Sequence, residues 1–221
     1  MGLCTVHGDK SALNASDTTH RISDLEALTA IYGAPAVSSI KKEVNHIHPY
    51  YRKLVEAAPF AILATSGPEG IDASPRGDPA GFIQVYDEKT LLLPDRRGNN
   101  RIDSLRNIIH DPRVGLLFLI PGIGETLRIN GTATITTDPA VLRYFLVDGK
   151  RPLSVLVINV ETVFFQCSRA ILRSRLWDHS VHVERGALPS TGAILEALSN
   201  AEIDGAKYDS DLPERVRKTL Y

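Results

Sequence analysis

The sequence predicts a mostly β protein with peripheral helices, in which the strands form an antiparallel barrel rather than a parallel sheet. Two observations indicate this. The centre of the chain, about residues 60–166, holds six or more short segments with strand character and only two inserted helices. Most of the strand segments are joined by tight turns, which suit antiparallel neighbours, whereas parallel strands need long crossover connections.

Two helices are predicted before the first strand. Leu25, Leu28 and Ile31 stand at helical spacing, and Gly33-Ala34-Pro35 ends that helix. A second helix is predicted from Pro49 to about residue 58, where the following proline stops it.

The first strands form a hairpin. Residues 60–65 are a continuous apolar run, Gly67-Pro68-Glu69-Gly70 has turn chemistry, and residues 71–76 return. Two further strands are predicted at 80–86 and 90–94, with a turn between them.

The second half of the barrel begins with a helix over residues 101–110, whose Ile102, Leu105 and Ile108 share one face and which ends before Asp111-Pro112. Strands are predicted at 114–120, 127–136 and 153–166, and a helix at 139–147 with Asp138 as its N-cap. The C-terminal part is predicted to carry a short basic helix or turn at 168–176 and two helices, near 194–198 and at 212–220.

The domain organisation expected from this pattern has three parts. Residues 1–58 are an N-terminal polar segment with helices, residues 59–180 are the barrel, and residues 181–221 are a helical extension that packs on the barrel. The length of 221 residues suits one such domain with extensions.

Composition excludes several classes of protein. Lys plus Arg number 25 and Asp plus Glu number 26, so the net charge of −1 argues against a nucleic-acid partner. No run of 18 apolar residues predicts a membrane span, and no secretory signal is expected at the N-terminus. Two cysteines cannot form a disulfide framework, and the expected location is therefore the cytoplasm.

A loop rich in arginine and asparagine, Arg96-Arg97-Gly98-Asn99-Asn100-Arg101, lies between a strand and a helix. A helix N-terminus offers unpaired backbone N–H groups and a partial positive charge, and arginine and amide side chains add donors. The segment suits a phosphate monoester. The alternative is that arginine and asparagine are simply common in exposed loops. The loop matches neither a P-loop nor the Gly-x-Gly-x-x-Gly fingerprint.

A second segment of interest, Ala73-Ser74-Pro75-Arg76-Gly77-Asp78, ends the hairpin. Glycine after Arg76 would let the backbone approach a flat ligand closely. A hairpin end with proline and glycine explains the same residues without any ligand.

Taken in order, these segments resemble the pyridoxamine 5′-phosphate oxidase-like superfamily of FMN-binding split barrels. The resemblance rests on Arg76-Gly77, on Pro94-Asp95, on the block from Arg97 to Asn107, and on Asp111-Pro112-Arg113-Val114. It covers about residues 50–180, and the segment Arg173-Ser174-Arg175-Leu176-Trp177 is similar to a bacterial branch of unassigned substrate.

The resemblance implies a six-stranded split barrel that forms a homodimer with FMN at the subunit interface. The residues implied to line the isoalloxazine are Arg76, Gly77, Asp78, Leu93, Pro94 and Asp95. Those implied to hold the phosphate are Arg97, Asn99, Asn100 and Arg101, with Arg96 as a neighbour. The C-terminal Arg-x-His-type ending of the oxidase proper is missing, so its vitamin B6 substrate residues are not carried over.

Trp177 and Arg175 are candidates for contacting the flavin of a dimer partner. Aromatic and arginine side chains are favoured interface anchors. Packing of Trp177 and surface ion pairing of Arg175 are the competing interpretations. His179 and His182 lack a convincing third ligand, so no metal site is expected.

The function expected from the sequence is that of an FMN-dependent oxidoreductase acting on a small-molecule substrate or electron donor, with no catalytic residue assigned. One alternative is a flavin-binding carrier or sensor without turnover. Another is a split barrel that uses deazaflavin or haem.

Overall fold

The structure of the protein is a computed structural model that describes residues 20–221. The polar N-terminal segment predicted for residues 1–20 therefore lies, except for its last residue, outside the described residues. The chain divides after Lys41 into two compact units. Across residues 20–221, no helix combines the length and the apolar character needed to cross a membrane.

The described part of the first unit, residues 20–41, contains two short helices, α1 (Leu25–Tyr32) and α2 (Val37–Lys41). The Asp24 carboxylate caps α1 by accepting a hydrogen bond from the Ala27 backbone N–H at 2.8 Å. Gly33 ends the helix with φ at +69°, a conformation that favours glycine. The sequence predicted α1 but not α2.

The second unit is built on seven strands and six helices. The strands are β1 (Phe60–Gly67), β2 (Gly70–Gly77), β3 (Gln84–Val85), β4 (Thr90–Asp95), β5 (Arg113–Leu119), β6 (Thr126–Thr136) and β7 (Ser154–Gln166). The helices are α3 (Pro49–Ala57), α4 (Asp103–His110), α5 (Pro139–Leu142), α6 (Arg169–Ser174), α7 (Thr191–Leu198) and α8 (Gly205–Thr219).

All seven strands form one antiparallel sheet in the order β2-β1-β5-β6-β7-β4-β3. The predicted fold class, a mostly β split barrel with peripheral helices, is confirmed. The strand count differs, because the sheet has seven strands rather than six. The sheet is also not closed, since its two end strands are not hydrogen-bonded to each other.

Alternating burial along the strands places one apolar core on the inner face of the sheet. In β1 the buried residues are Ala61, Leu63 and Thr65, two apart as the strand period requires. Leu116 of β5 and Ile129 of β6 belong to the same core. Burial of such side chains stabilises the fold by about 1.5–3 kcal/mol each relative to exposure.

Helix α4 ends where the sequence predicted, before Pro112. Asp111 accepts hydrogen bonds from the Arg113 guanidinium, at 2.6 and 2.9 Å, and from the Arg113 backbone N–H at 3.1 Å. These bonds, with the side-chain bond dominant, lower the pKa of Asp111 to about 2. The carboxylate therefore stays ionised at the turn into β5.

The strand predicted at residues 80–86 is only two residues long in the structure. Of residues 80–86, only Gln84 and Val85 pair with β4, because Gly81 has φ at +87° and turns the chain before them. Phe82 and Ile83 are nevertheless buried in the core. The apolar run reflects burial of a loop, not pairing of a strand.

The pairing of β6 with β7 shifts register between Asn130 and Gly131, where β7 carries one extra residue, Glu161. At this point β6 and β7 come so close that a Cβ atom on Gly131 would overlap the carbonyl oxygen of Asn159. Glycine is required there because the neighbouring atom belongs to the backbone and cannot rotate away.

We expect Gly131→Ala to destabilise the protein by about 1–3 kcal/mol, because the two central strands must move apart. Gly186→Ala is the matched control, since a Cβ atom there meets nothing within 4 Å. Denaturant unfolding followed by tryptophan fluorescence measures both. Equal midpoints for the two variants would contradict the prediction.

Candidate functional site

The open sheet leaves a gap between two backbone edges. In the described chain, β2 pairs with β1 alone. The end of β4, residues 93–95, pairs only with β7, because the two residues of β3 pair with Leu91 and Leu92 alone. Peptide groups that point away from their single partner strand are therefore available to a ligand on both sides of the gap.

Two adjoining cavities occupy this gap. The loop cavity, of about 190 Å³, is lined by residues of β2, by the 96–102 loop and by the first turn of α4. The gap cavity, of about 210 Å³, lies between β2 and the end of β4. The side chains or backbone of Arg76, Asp95, Arg96, Arg97 and Gly98 border both.

Helix α4 is fixed to the β1–β2 hairpin by two side-chain hydrogen bonds. The Ser104 hydroxyl donates to Asp72 Oδ2 at 2.7 Å, and the Asn107 amide donates to the Thr65 hydroxyl at 3.1 Å. A Cβ atom on Gly67 would overlap the Asn107 side chain, so the close approach of helix and hairpin needs glycine there. These contacts direct the N-terminus of α4 towards the loop cavity.

The loop that enters α4 has an unusual backbone. Asn100 and Ile102 adopt φ of +60° and +53°. Asparagine tolerates this left-handed region, but a β-branched isoleucine is strained in it. Ile102 occupies the N-cap position and offers no side-chain hydrogen bond, so the first-turn N–H groups of α4 lack a cap.

The loop cavity carries four arginines and three aspartates. Arg101 forms an ion pair with Asp103 at 2.8 Å, and Arg76 donates to the Ser74 hydroxyl at 2.9 Å. Within residues 20–221, no hydrogen bond or ion pair engages the Arg97 guanidinium. Arg97 is therefore the cation that an anionic ligand meets without first breaking a contact.

Arg96 has a different environment from its neighbour. Its Nε donates to Asp78 Oδ2 at 2.8 Å, and its Nη1 donates to the Phe145 carbonyl at 2.8 Å. The other Asp78 oxygen accepts a hydrogen bond from the Tyr221 hydroxyl at 2.5 Å. Asp78 and Arg96 thus satisfy each other and are not available as free charges.

Asp95 is the acidic side chain of these cavities with an unengaged carboxyl group. Asp72 and Asp103 are paired as described, whereas no hydrogen bond or ion pair within residues 20–221 engages Asp95. Burial raises the pKa of Asp95, and the nearby Arg76 lowers it by a smaller amount. Ionised Asp95 is therefore less stable in the folded protein than in water.

We expect Asp95→Asn to be more stable than the wild-type protein in the ligand-free state, with a larger advantage at pH 7 than at pH 4. Because the pKa of Asp95 is raised on folding, the unfolded chain loses this proton first, from about pH 3.9 upwards. The wild-type protein then loses stability as the pH rises to the folded pKa, and the variant does not. Unfolding free energies at both pH values measure the difference. An advantage of the variant that is the same at both pH values would contradict the raised pKa.

Most of the sequence-predicted site residues meet at these cavities. Those that border one or both are Arg76, Gly77, Pro94, Asp95, Arg97, Asn99, Asn100 and Arg101. Asp78 and Leu93 do not border them. The Asp78 carboxylate is held by Arg96 and Tyr221, and Leu93 is 1% exposed in the core.

Trp177 and Arg175 lie outside both cavities and are held within their own chain. The Trp177 indole N–H donates to the Ile123 carbonyl at 2.8 Å. Arg175 forms an ion pair with Asp178 at 2.5 Å. Hydrogen bonds from Ser180 and from Arg175 lower the pKa of Asp178 to about 2. A contact with the flavin of a dimer partner stays a prediction for both residues.

Several residues at the site were not found by sequence reasoning. Asp72 and Ser104 both line the loop cavity, but their hydrogen bond joins positions 32 apart. Leu153 borders the loop cavity and is 71% exposed. No sequence signal identifies Leu153, because its exposure is visible only in the structure.

The fold and its cavities define an open antiparallel split-barrel protein with a candidate ligand site at the gap. The chain belongs to the pyridoxamine 5′-phosphate oxidase family, whose family model matches residues 47–167, more than half of the chain. Membership of this family supports a flavin-binding split-barrel protein. None of the curated proteins matches the chain.

The chain is also similar to solved structures. HupZ from Group A Streptococcus is 23% identical, with a TM-score of 0.46, over 55% of this chain and 95% of that chain. A protein from Clostridium acetobutylicum related to general stress protein 26 of Bacillus subtilis is 16% identical, with a TM-score of 0.40, over 52% of this chain and 84% of that chain. General stress protein 26 from Bacillus anthracis str. Sterne is 16% identical, with a TM-score of 0.39, over 51% and 88%.

Proposed function

We propose that this protein binds FMN at the gap of its sheet and acts as an FMN-dependent oxidoreductase on a small molecule. The observation that carries the proposal is the loop cavity, where the unengaged Arg97 and the uncapped N-terminus of α4 line the same space. Family membership makes flavin the expected ligand of this site.

The residues of the loop cavity fit a phosphate monoester. Arg97 offers a guanidinium, Asn100 offers amide donors, and the first turn of α4 offers backbone N–H groups. Arg101 would have to exchange its contact with Asp103 for the phosphate, which its 75% exposed side chain can do by rotation. Of the two other carboxyl groups of the cavity, Asp72 is already held by Ser104, and burial raises the pKa of the unengaged Asp95.

The residues of the gap cavity fit a flat heteroaromatic ring. Pro94 and Asp95 of β4 lie on one side, Arg76 and Gly77 of β2 on the other, and both strands have unpaired backbone edges. When bound, FMN supplies the electron-transfer chemistry, whereas the protein binds it, orients it and sets its electrostatic environment. Arg76 is the positive group that would stabilise negative charge on a ring held here.

We further propose that a second copy of the chain completes the site. The rim of the loop cavity carries an exposed apolar side chain, that of Leu153, which is 71% exposed. Such side chains favour a protein partner. Sedimentation equilibrium is expected to give a dimer.

We expect Arg97→Ala combined with Arg101→Ala to weaken FMN binding by about 100-fold or more, since each charge-assisted hydrogen bond to phosphate contributes roughly 1.5–3 kcal/mol. Arg106→Ala is the matched control, because this exposed arginine lies on α4 but borders neither the loop cavity nor the gap cavity. Fluorescence titration with FMN measures the affinity. If the double variant retains stoichiometric FMN, the phosphate site has been misplaced.

The nature of the cofactor and the presence of turnover are tested separately. Mass analysis of the ligand released from purified protein is expected to give FMN, and deazaflavin or haem would overturn that assignment. Reduction by NAD(P)H under air, with oxygen consumed, is expected for an oxidoreductase. A protein that holds FMN but shows no turnover with NAD(P)H or with a panel of amines and quinones would be a carrier or sensor.

A further inference from the structure

The proposed function does not explain a cluster of three bonded side chains next to the site, those of Asp78, Arg96 and Tyr221. Tyr221 reaches Asp78, which lies 143 residues earlier in the chain, and donates its hydroxyl to one carboxylate oxygen at 2.5 Å. The other oxygen accepts from Arg96 at 2.8 Å. The Asp78 and Arg96 side chains are only 3% and 18% exposed. A nearly buried carboxylate thus has one charged and one phenolic partner.

Tyr221 is held by two further contacts. The Arg96 guanidinium lies 5.4 Å from the centre of the tyrosine ring, within the range of a cation–π interaction. The Lys150 ammonium donates to the main-chain oxygen of Tyr221 at 3.0 Å. The hydrogen bond to Asp78 raises the pKa of the Tyr221 phenol, so the hydroxyl keeps its proton at neutral pH.

The cluster adjoins the phosphate-binding loop in space. Tyr221 borders a third cavity of about 390 Å³, which also has Arg96, Arg97, Asn100 and Leu153 in its walls. All four of these residues border the loop cavity as well. Arg96 is the first residue of the loop, and the next residue is the unengaged Arg97.

We propose that Tyr221 is a positioning residue of the flavin phosphate site. It acts through Asp78 and Arg96, which fix the start of the loop that carries Arg97 and Asn100. This inference rests on the proposed function, because it assigns the phosphate of FMN to that loop. It assigns Tyr221 no contact with the flavin.

The physical reason is that each oxygen of the buried Asp78 carboxylate needs a hydrogen-bond donor. Without the phenol, one oxygen of a carboxylate with 3% exposure loses its partner, and the carboxylate must move towards water to regain one. Arg96 is bonded to that carboxylate and to the Phe145 carbonyl, so it has to shift or give up one bond. The first residue of the loop is then held less firmly. Binding of phosphate must order the loop, and this lowers the affinity.

The test compares FMN with riboflavin, which has the same ring system but no phosphate. In Tyr221→Phe we expect the FMN dissociation constant to rise about fivefold to tenfold, less than for direct loss of a hydrogen bond to a charged group, because Tyr221 acts on the phosphate only through Asp78 and Arg96. The riboflavin dissociation constant is expected to change by less than about twofold, because riboflavin has no phosphate for Arg97 and Asn100 to hold. Fluorescence titration of ligand-free protein with each flavin gives both values.

The matched control is Tyr208→Phe. It removes the same hydroxyl group from a tyrosine on α8, whose ring packs under Arg215 at 4.2 Å instead of reaching Asp78. We expect this variant to keep the wild-type ratio of FMN to riboflavin affinity. Hydrogen exchange of the ligand-free proteins supplies a readout independent of flavin, with faster exchange expected for amides 97–102 in Tyr221→Phe alone.

The outcomes separate the two proposals. If wild-type protein binds FMN no better than riboflavin, the phosphate site proposed above is wrong, whatever Tyr221 does. If wild-type protein prefers FMN and Tyr221→Phe keeps that preference with unchanged exchange in the loop, the positioning role is wrong. A variant that loses both flavins to the same extent would show a general structural role for Tyr221 and would also overturn the inference.

Discussion

Helix α4 is attached to the β1–β2 hairpin by two side-chain hydrogen bonds, and the location of the candidate site depends on that attachment. Ser104 and Asn107 stand three residues apart on one face of the helix and bond to Asp72 and Thr65. Because these bonds hold the helix close to the hairpin, its uncapped first turn faces the loop cavity. Without them, the helical end of the loop would be less firmly placed at the gap in the sheet.

The same loop contains two adjacent arginines with different roles. Arg96 is bonded to Asp78 and to the Phe145 carbonyl, and its charge is neutralised inside the protein. Arg97 has no such partner among residues 20–221 and is exposed. A ligand phosphate therefore meets a charge that has no ion pair to break first, on a loop whose first residue is held by a nearly buried ion pair. Fixed support and a free donor are both needed for selective anion binding.

Local chemistry made much of this structure predictable. The turn residues at 67–70 and the apolar run before them gave the β1–β2 hairpin, and Pro112 gave the end of α4. Helix α8 begins at Gly205, earlier than the predicted 212, because its support comes from an Asp204 cap and ion pairs such as Lys207–Asp211, not from apolar periodicity. The Tyr221–Asp78 bond was beyond sequence reasoning, since no local pattern links positions 143 apart.

Prolines on both sides of the gap have a consequence for how the barrel stays open. Pro75 lies on β2 and Pro94 on β4, and both border the gap cavity. Proline has no N–H to donate, so neither strand can offer a full ladder of hydrogen bonds to the other. Pairing of the two edges, which would close the barrel, is therefore disfavoured. Pairing of either edge with a strand of another chain is disfavoured for the same reason. The absence of two backbone N–H groups thus helps to keep the gap between these strands open.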